Sequence, residues 1–147
     1  MNIQTKFSGE ISIAEEAIIK FPDGIPAFES EQEFVLIPLQ ESSPFIILQS
    51  VKTPEIGFIM AYPYEFKEDY AFDLTKEDQK ILELENPNTV LIYSILTLKD
   101  SLEKSTMNLL APIVINSQCN IGKQIILNES TLFPLQYPLK KAEGSTR

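Results

Sequence analysis

The apolar residues of this chain come in short runs, each rich in Ile, Val, Leu, Phe or Tyr and each closed by turn-forming residues. Even runs such as residues 109–115 fall far short of a membrane span. Short β-rich runs punctuated in this way describe strands, and their number in one 147-residue chain describes an all-β domain. The first strands are expected at residues 3–7 and 17–21. Asp23-Gly24-Ile25-Pro26 then interrupts the pattern, with Gly24 free to take a positive φ and Pro26 restricting the residue before it. Three more strands are expected at 34–39, 45–50 and 56–61. Their connections, 40–44 and 51–55, are short enough to join antiparallel neighbours. Pro54 belongs in the second connection, because proline cannot donate to a central ladder.

One helix is expected over residues 76–84. Thr75 can cap it, with Asp78 completing a pair that resembles a capping box. Ile81, Leu82 and Leu84 could dock on the sheet, and Asn86-Pro87 supplies a stop. Strands resume at 90–98, 106–109, 112–116 and 123–127. Both alternating faces of 90–98 are apolar, as in a strand covered on both sides. So many strands must hide their edges, which a barrel or a two-sheet sandwich achieves most simply. The expected fold is therefore mainly β: an antiparallel, β-barrel-like single domain with one short α-helix. That domain is expected over residues 1–139. Residues 140–147, Lys-Lys-Ala-Glu-Gly-Ser-Thr-Arg, have no apolar anchor beyond Ala142 and are expected to form a flexible tail.

The chemistry that the chain lacks narrows its function. It has no His, no Trp, one Cys (Cys119), and a single Arg at the terminal position, Arg147. Without His there is no Ser-His or Cys-His nucleophile pair, and the usual acid–base catalyst is missing. One Cys makes neither an internal disulfide nor a thiolate zinc site. Five scattered glycines provide no phosphate-binding loop. The acids of residues 65–73 lack the glycine and ligand spacing of a calcium loop. Cys119 has no cationic neighbour in sequence to activate it. No cofactor or metal is expected, and the chain reads as a binding protein more than an enzyme. An enzyme using paired carboxylates and a barrel binding a small ligand or carbohydrate remain as alternatives.

The formal net charge is −9. Residues 1–104 hold nineteen acidic and eight basic side chains, a balance of −11, whereas residues 105–147 come to +2. A surface of this sign disfavours direct binding to nucleic acid or to an anionic membrane, and suits a basic protein partner. The N-terminus lacks the apolar core of a secretory signal, so a cytoplasmic location is expected. The aromatic cluster Tyr62-Pro63-Tyr64-Glu65-Phe66 and Tyr70 sits among acids. Core packing is its first reading and a protein-binding edge its second.

Phe21-Pro22-Asp23-Gly24-Ile25-Pro26-Ala27-Phe28-Glu29 resembles the F-x-x-G-[IL]-P-G-F-E opening of the FliW family of flagellar assembly factors. Pro44-Phe45-Ile46-Ile47-Leu48-Gln49-Ser50, followed by Pro54 and Phe58, is similar to that family's second signature. Asn108-Leu109-Leu110-Ala111-Pro112-Ile113-Val114-Ile115-Asn116, with Gly122 and Gln124 after it, resembles the third. Each motif is weak alone; three in order over nearly the whole chain are specific. Ala27 departs from the family's usual glycine, which leads to the expectation that no positive φ is needed there.

The resemblance implies a non-catalytic, β-barrel-like protein that binds flagellin and the RNA-binding translational repressor CsrA. Such a protein, expected to be monomeric when free, sequesters CsrA by an allosteric contact and so permits translation of flagellin mRNA. Cytosolic flagellin captures it and restores repression until flagellin is exported. For this chain, Phe45, Ile47, Leu109 and Ile113 are expected to fill the core. Gln49, Asn108 and Asn116 are polar residues within apolar runs, which either satisfy buried backbone groups or line a partner groove. Phe28, Glu29, Gln49, Ser50, Asn108 and Asn116 are the candidate contact residues.

Overall fold

The computed structural model describes residues 1–39, 44–85, 90–101, 104–127 and 134–139. The expected tail at 140–147, most of the 40–44 connection and the Asn86-Pro87 stop lie outside them. A small hairpin, β1 (Asn2–Gln4) and β2 (Glu10–Ser12), stands apart from the main sheet. The main sheet contains β3 (Ile19–Lys20), β4 (Glu33–Pro38), β5 (Phe45–Ser50), β6 (Gly57–Ala61), β7 (Val90–Thr97), β8 (Thr106–Met107), β9 (Ile113–Asn116), β10 (Ile121–Gln124) and β11 (Tyr137–Pro138). The order β7-β6-β5-β4-β3-β10-β9 closes on itself, because β9 also pairs with β7 from Val90↔Asn116 to Tyr93↔Ile113. Closure removes the exposed edges that an open sheet would present. One contact of this ring, Ile121↔Lys20 between β10 and β3, is parallel; the others are antiparallel.

The period-2 pattern read in the sequence sorts side chains between the inside and outside of this barrel. Ile19, Phe21, Phe34, Leu48, Met60, Tyr93, Ile113 and Ile115 form the interior cluster. Phe21 meets Phe34 edge-on at 5.2 Å, and neither ring has any exposed surface. Burying an aromatic or aliphatic side chain this completely contributes about 1.5–3 kcal/mol. A second cluster lies on the opposite face, where Ala61, Leu96, Met107, Leu109 and Leu139 pack around Tyr70. In a third, Leu82 covers Val114 and Ile125. β7 is thus apolar on both faces because both are covered. Ile47, Leu109 and Ile113 are buried as expected, and Phe45 is partly buried against the second cluster.

The single α-helix, α1 (Lys76–Ile81), begins as expected, with the Asp78 N–H donating to Thr75 Oγ1 at 3.0 Å. It ends earlier than expected. Glu83 takes φ +54°, the Leu84 N–H donates to Gln79 O at 2.9 Å, and the Glu83 N–H donates to Lys80 O at 3.1 Å. These two bonds form a Schellman motif around a glutamate, where sequence rules look for glycine. Asn116 completes the stop from β9, its Nδ2 donating to Leu82 O at 2.8 Å. No described helix is long and apolar enough to cross a membrane.

Strand expectations shift as well, and the expected 3–7 strand is cut to Asn2–Gln4. A 3₁₀ turn at Glu15–Ala17 takes the start of the expected 17–21 strand and leaves Ile19–Lys20. β8 stops at Met107, because Asn108 Oδ1 accepts the N–H groups of Leu110 and Ala111 and bends the chain. β10 begins two residues before the expected 123 and ends at Gln124. Gly122 lies inside that strand because a Cβ there would sit 2.5 Å from Phe21 Cζ.

Candidate partner-binding surface

The Phe21–Glu29 motif folds as two linked turns at the edge of the interior cluster. The Phe21 N–H donates to Gln32 O and the Gly24 N–H to Phe21 O, both at 2.8 Å. Gly24 has φ +67°, and any Cβ there would strike the backbone of Glu29. Ile25 and Phe28 then bridge, with the Phe28 N–H donating to Ile25 O at 2.6 Å. Ala27 sits at the third position of this four-residue turn with φ +75°, which overturns the expectation of a negative φ. The cause is the turn itself. Proline at the second position followed by a left-handed third residue is the type II arrangement, and it imposes positive φ on whatever residue stands there. Alanine is held in place by the Phe28 bond and by its own N–H, which donates to Glu29 Oε2 at 3.2 Å.

The turn delivers Phe28 and Glu29 to the surface. The Phe28 ring is 39% exposed and meets Phe58 edge-on at 5.8 Å. Phe58 leads in turn to Phe34 at 6.5 Å, so a line of rings joins the surface to the barrel interior. Beside the turn, Lys123 Nζ lies 3.4 Å from Asp23 Oδ2 and 3.8 Å from Asp78 Oδ1, linking the turn, β10 and α1.

Gln49 and Ser50 are wholly buried under the connection at 51–55. Gln49 Oε1 accepts the Lys6 N–H at 2.9 Å, and Nε2 reaches the carbonyls of Pro54 and Ile56 at 3.2 and 3.1 Å. Ser50 Oγ donates to Glu31 Oε1 at 2.6 Å and accepts the Thr53 N–H at 2.9 Å. Thr53 Oγ1 donates to the other oxygen, Glu31 Oε2, at 2.7 Å. The Ser50 hydroxyl holds the Glu31 carboxyl below its usual range; burial opposes it, and Thr53 and Lys52 add to it. Asn116 is buried against the end of α1, and Asn108 closes its own turn.

The six candidate contact residues therefore separate. Phe28 and Glu29 share an exposed turn. Gln49, Ser50, Asn108 and Asn116 bond backbone groups, with Asn108 and Asn116 each serving a local turn or helix end. The aromatic cluster separates as well. Tyr70 is buried and its hydroxyl donates to Leu109 O at 2.7 Å, while Tyr62 and Tyr64 remain substantially exposed. Tyr62 stacks on Tyr93 with ring centres 4.9 Å apart. The exposed residues Phe7 and Leu98 were placed in strands by the sequence reading. Ser8-Gly9, directly after Phe7, was the turn signal that could have put it at a hairpin tip.

Several ionisable groups among the described residues are restrained. Both oxygens of Glu31, the buried acid, accept hydroxyl bonds. Desolvation first, and the Glu83 carboxylate next, raise the Cys119 thiol above its usual range. In the 65–73 stretch, Asp69 is paired with Lys67 at 2.8 Å. No group of three or more His, Cys, Asp or Glu side chains among the described residues is placed to hold a metal ion.

A closed, mainly antiparallel barrel carrying an external helix and an exposed aromatic turn is the class that this fold defines. Residues 2–139 match the family model described as FliW protein, and the chain belongs to the FliW family. It is 45% identical over 136 residues to the flagellar assembly factor FliW of Bacillus licheniformis, covering 92% of this chain and 95% of that one. The FliW of Bacillus subtilis is 42% identical over 139 residues, with 95% and 96% covered. That of Clostridium kluyveri is 41% identical over 145 residues, with 99% of each covered. A crystal structure of the flagellar assembly factor FliW superimposes with a TM-score of 0.87 at 40% identity, over 95% of this chain and 96% of that chain.

Proposed function

We propose that this chain is a non-catalytic regulator of flagellar assembly that works in the cytoplasm by binding flagellin and CsrA in turn. Free, as a monomer, it holds CsrA in a form that releases flagellin mRNA, by a contact away from the RNA-binding surface. Unexported flagellin then takes the chain away from CsrA, and translation of flagellin mRNA stops. In binding flagellin it acts as a chaperone as well as a sensor.

The observation that carries this reading is the family match over residues 2–139, with full-length relatives named as flagellar assembly factors. The charge supports it. An RNA-binding protein presents a cationic surface, and a body of net charge −9 held beside it lowers the local positive potential that RNA requires. The restrained chemistry of Glu31 and Cys119 fits a role without catalysis.

The test is capture from lysate of a flagellated bacterium, using the full chain as bait. Recovery of both flagellin and CsrA supports the proposal, and recovery of neither sinks it. Broad neutralisation of surface acids should then weaken the inhibition of RNA binding. Inhibition that survives neutralisation unchanged removes the electrostatic part alone.

A further inference from the structure

The third cluster is the least completely covered part of the barrel's outer face. Leu82, Val114 and Ile125 are buried in it, but Phe72, Leu74, Leu84, Val90 and Ile92 pack around them and stay half-buried. Those five apolar residues line a groove of ≈ 480 Å³. β7 contributes Val90 and Ile92, the outward members of its alternation, while Leu91 and Tyr93 pack inside. The stretch at 72–74 contributes Phe72 and Leu74, and the end of α1 contributes Gln79 with Leu84 just past it. Half-buried apolar residues gathered into one concave patch mark an interaction site more often than scattered ones do.

The sides of the groove are tied to each other. Gln79 Nε2 donates to Leu74 O at 3.0 Å, and the Leu84 N–H donates to Gln79 O at 2.9 Å. Asn116 fixes the same helix end from β9 through Leu82 O. The groove is thus preformed, and an occupant does not bear the cost of ordering it.

The charge at the groove has one sign. Asp73 and Glu85 are the charged residues of its lining; both are exposed, and neither belongs to an ion pair among the described residues. Residues 71–85, which carry two of its three sides, hold five acidic and two basic side chains, a balance of −3. The two basic ones, Lys76 and Lys80, do not line the groove. The same field reaches Cys119, whose thiol is raised first by desolvation, then by Glu83, and also by Glu85.

An apolar groove with an acidic border selects its occupant. A fatty acid would set its carboxylate against Asp73 and Glu85. A second copy of this chain would bring a net charge of −9. The chain's own basic stretch, Lys140-Lys141, is followed by no apolar residue larger than Ala142. Apolar side chains bordered by lysine or arginine match both the groove and its border.

We propose that this groove docks a basic segment of a protein partner. Apolar side chains of that segment lie over Leu74, Leu84, Val90 and Ile92, and its flanking Lys or Arg side chains face Asp73 and Glu85. The inference rests on the reading of the chain as a binding protein and adds where a partner docks and what its docking segment is made of. None of the six candidate contact residues lines this groove.

The test is methyl NMR of the full chain, titrated separately with purified flagellin, with purified CsrA, and with two synthetic peptides. One peptide is a Leu-Phe-Leu core flanked by lysines, and the other is the same core flanked by glutamates. The methyl signals of Leu74, Leu84, Val90 and Ile92 should shift with at least one of the two proteins. Asp73→Lys and Glu85→Lys should each weaken that protein's binding roughly tenfold, and Glu10→Lys, the same reversal on the N-terminal hairpin, less than about twofold. All three positions are exposed, so the melting temperature should hold. A protein that binds without moving those signals, or that loses as much affinity to Glu10→Lys as to the other two reversals, overturns the inference. If neither protein binds the wild-type chain, the assignment of partners fails separately and the peptides decide. Groove signals that shift with the lysine-flanked peptide alone support the site, and any other pattern overturns it.

Discussion

Gln49, buried in the barrel wall, accepts the backbone N–H of Lys6 at 2.9 Å and so ties the N-terminal hairpin to the sheet. The same side chain donates to carbonyls of the 51–56 connection, which makes it a joint between two segments that the sheet does not pair. Gln49→Ala should destabilise the fold by about 2 kcal/mol, since it leaves a donor and carbonyls without their partner. The Lys6 amide should exchange faster than in the wild type. Unchanged exchange at Lys6 would mean that the hairpin is held by other contacts.

Ala27→Gly should stabilise the protein. A non-glycine residue in the left-handed region costs about 1–2 kcal/mol, and φ +75° at Ala27 carries that cost. Part of the gain is offset by the greater freedom of glycine in the unfolded chain. A net increase of about 0.5–1 kcal/mol in denaturant unfolding is expected, with the m-value unchanged. A loss of stability would contradict the turn geometry.

Glu31→Gln should reveal a pH-dependent contribution. The folded-state pKa of Glu31 is depressed, chiefly by the Ser50 hydroxyl. Its stabilisation is therefore fully present above the unfolded pKa and is lost as pH falls through the folded one. The wild type should exceed the variant by about 1–2 kcal/mol at neutral pH, with the difference shrinking below the usual carboxylate range. A difference independent of pH would place the effect in packing alone.

Gly122→Ala should cost about 2 kcal/mol or more, because the new methyl meets the ring of Phe21 in the packed interior. Pairing Gly122→Ala with Phe21→Leu should recover part of that loss relative to the sum of the single effects. Strict additivity in chemical denaturation would exclude a direct clash.

The strands were legible where alternation was strong. The expected 45–50 strand coincides with β5, and 90–98 overruns β7 by one residue. The misses have physical causes that no local pattern carries. The expected 123–127 strand began after Gly122, because the reason for a glycine inside β10, the Phe21 ring, arrives from about a hundred residues away in sequence. Helix α1 ended early because Asn116, from β9, accommodates a left-handed Glu83 that propensity would not choose. The candidate contact residues were the least legible part. Gln49 and Asn116 stood out as polar residues in apolar runs, and that signal proved to mark buried backbone bonding. Phe28 was singled out through its motif, whereas the exposure of Leu98 depends on where β7 parts from β6, which is a tertiary fact.

The most direct measurement of the proposed function is a competition read by the anisotropy of labelled flagellin mRNA leader bound to CsrA. Adding this chain should lower the anisotropy as RNA is released, and adding flagellin afterwards should raise it again. RNA that stays bound when the chain is in excess, or flagellin that fails to restore binding, would contradict the account.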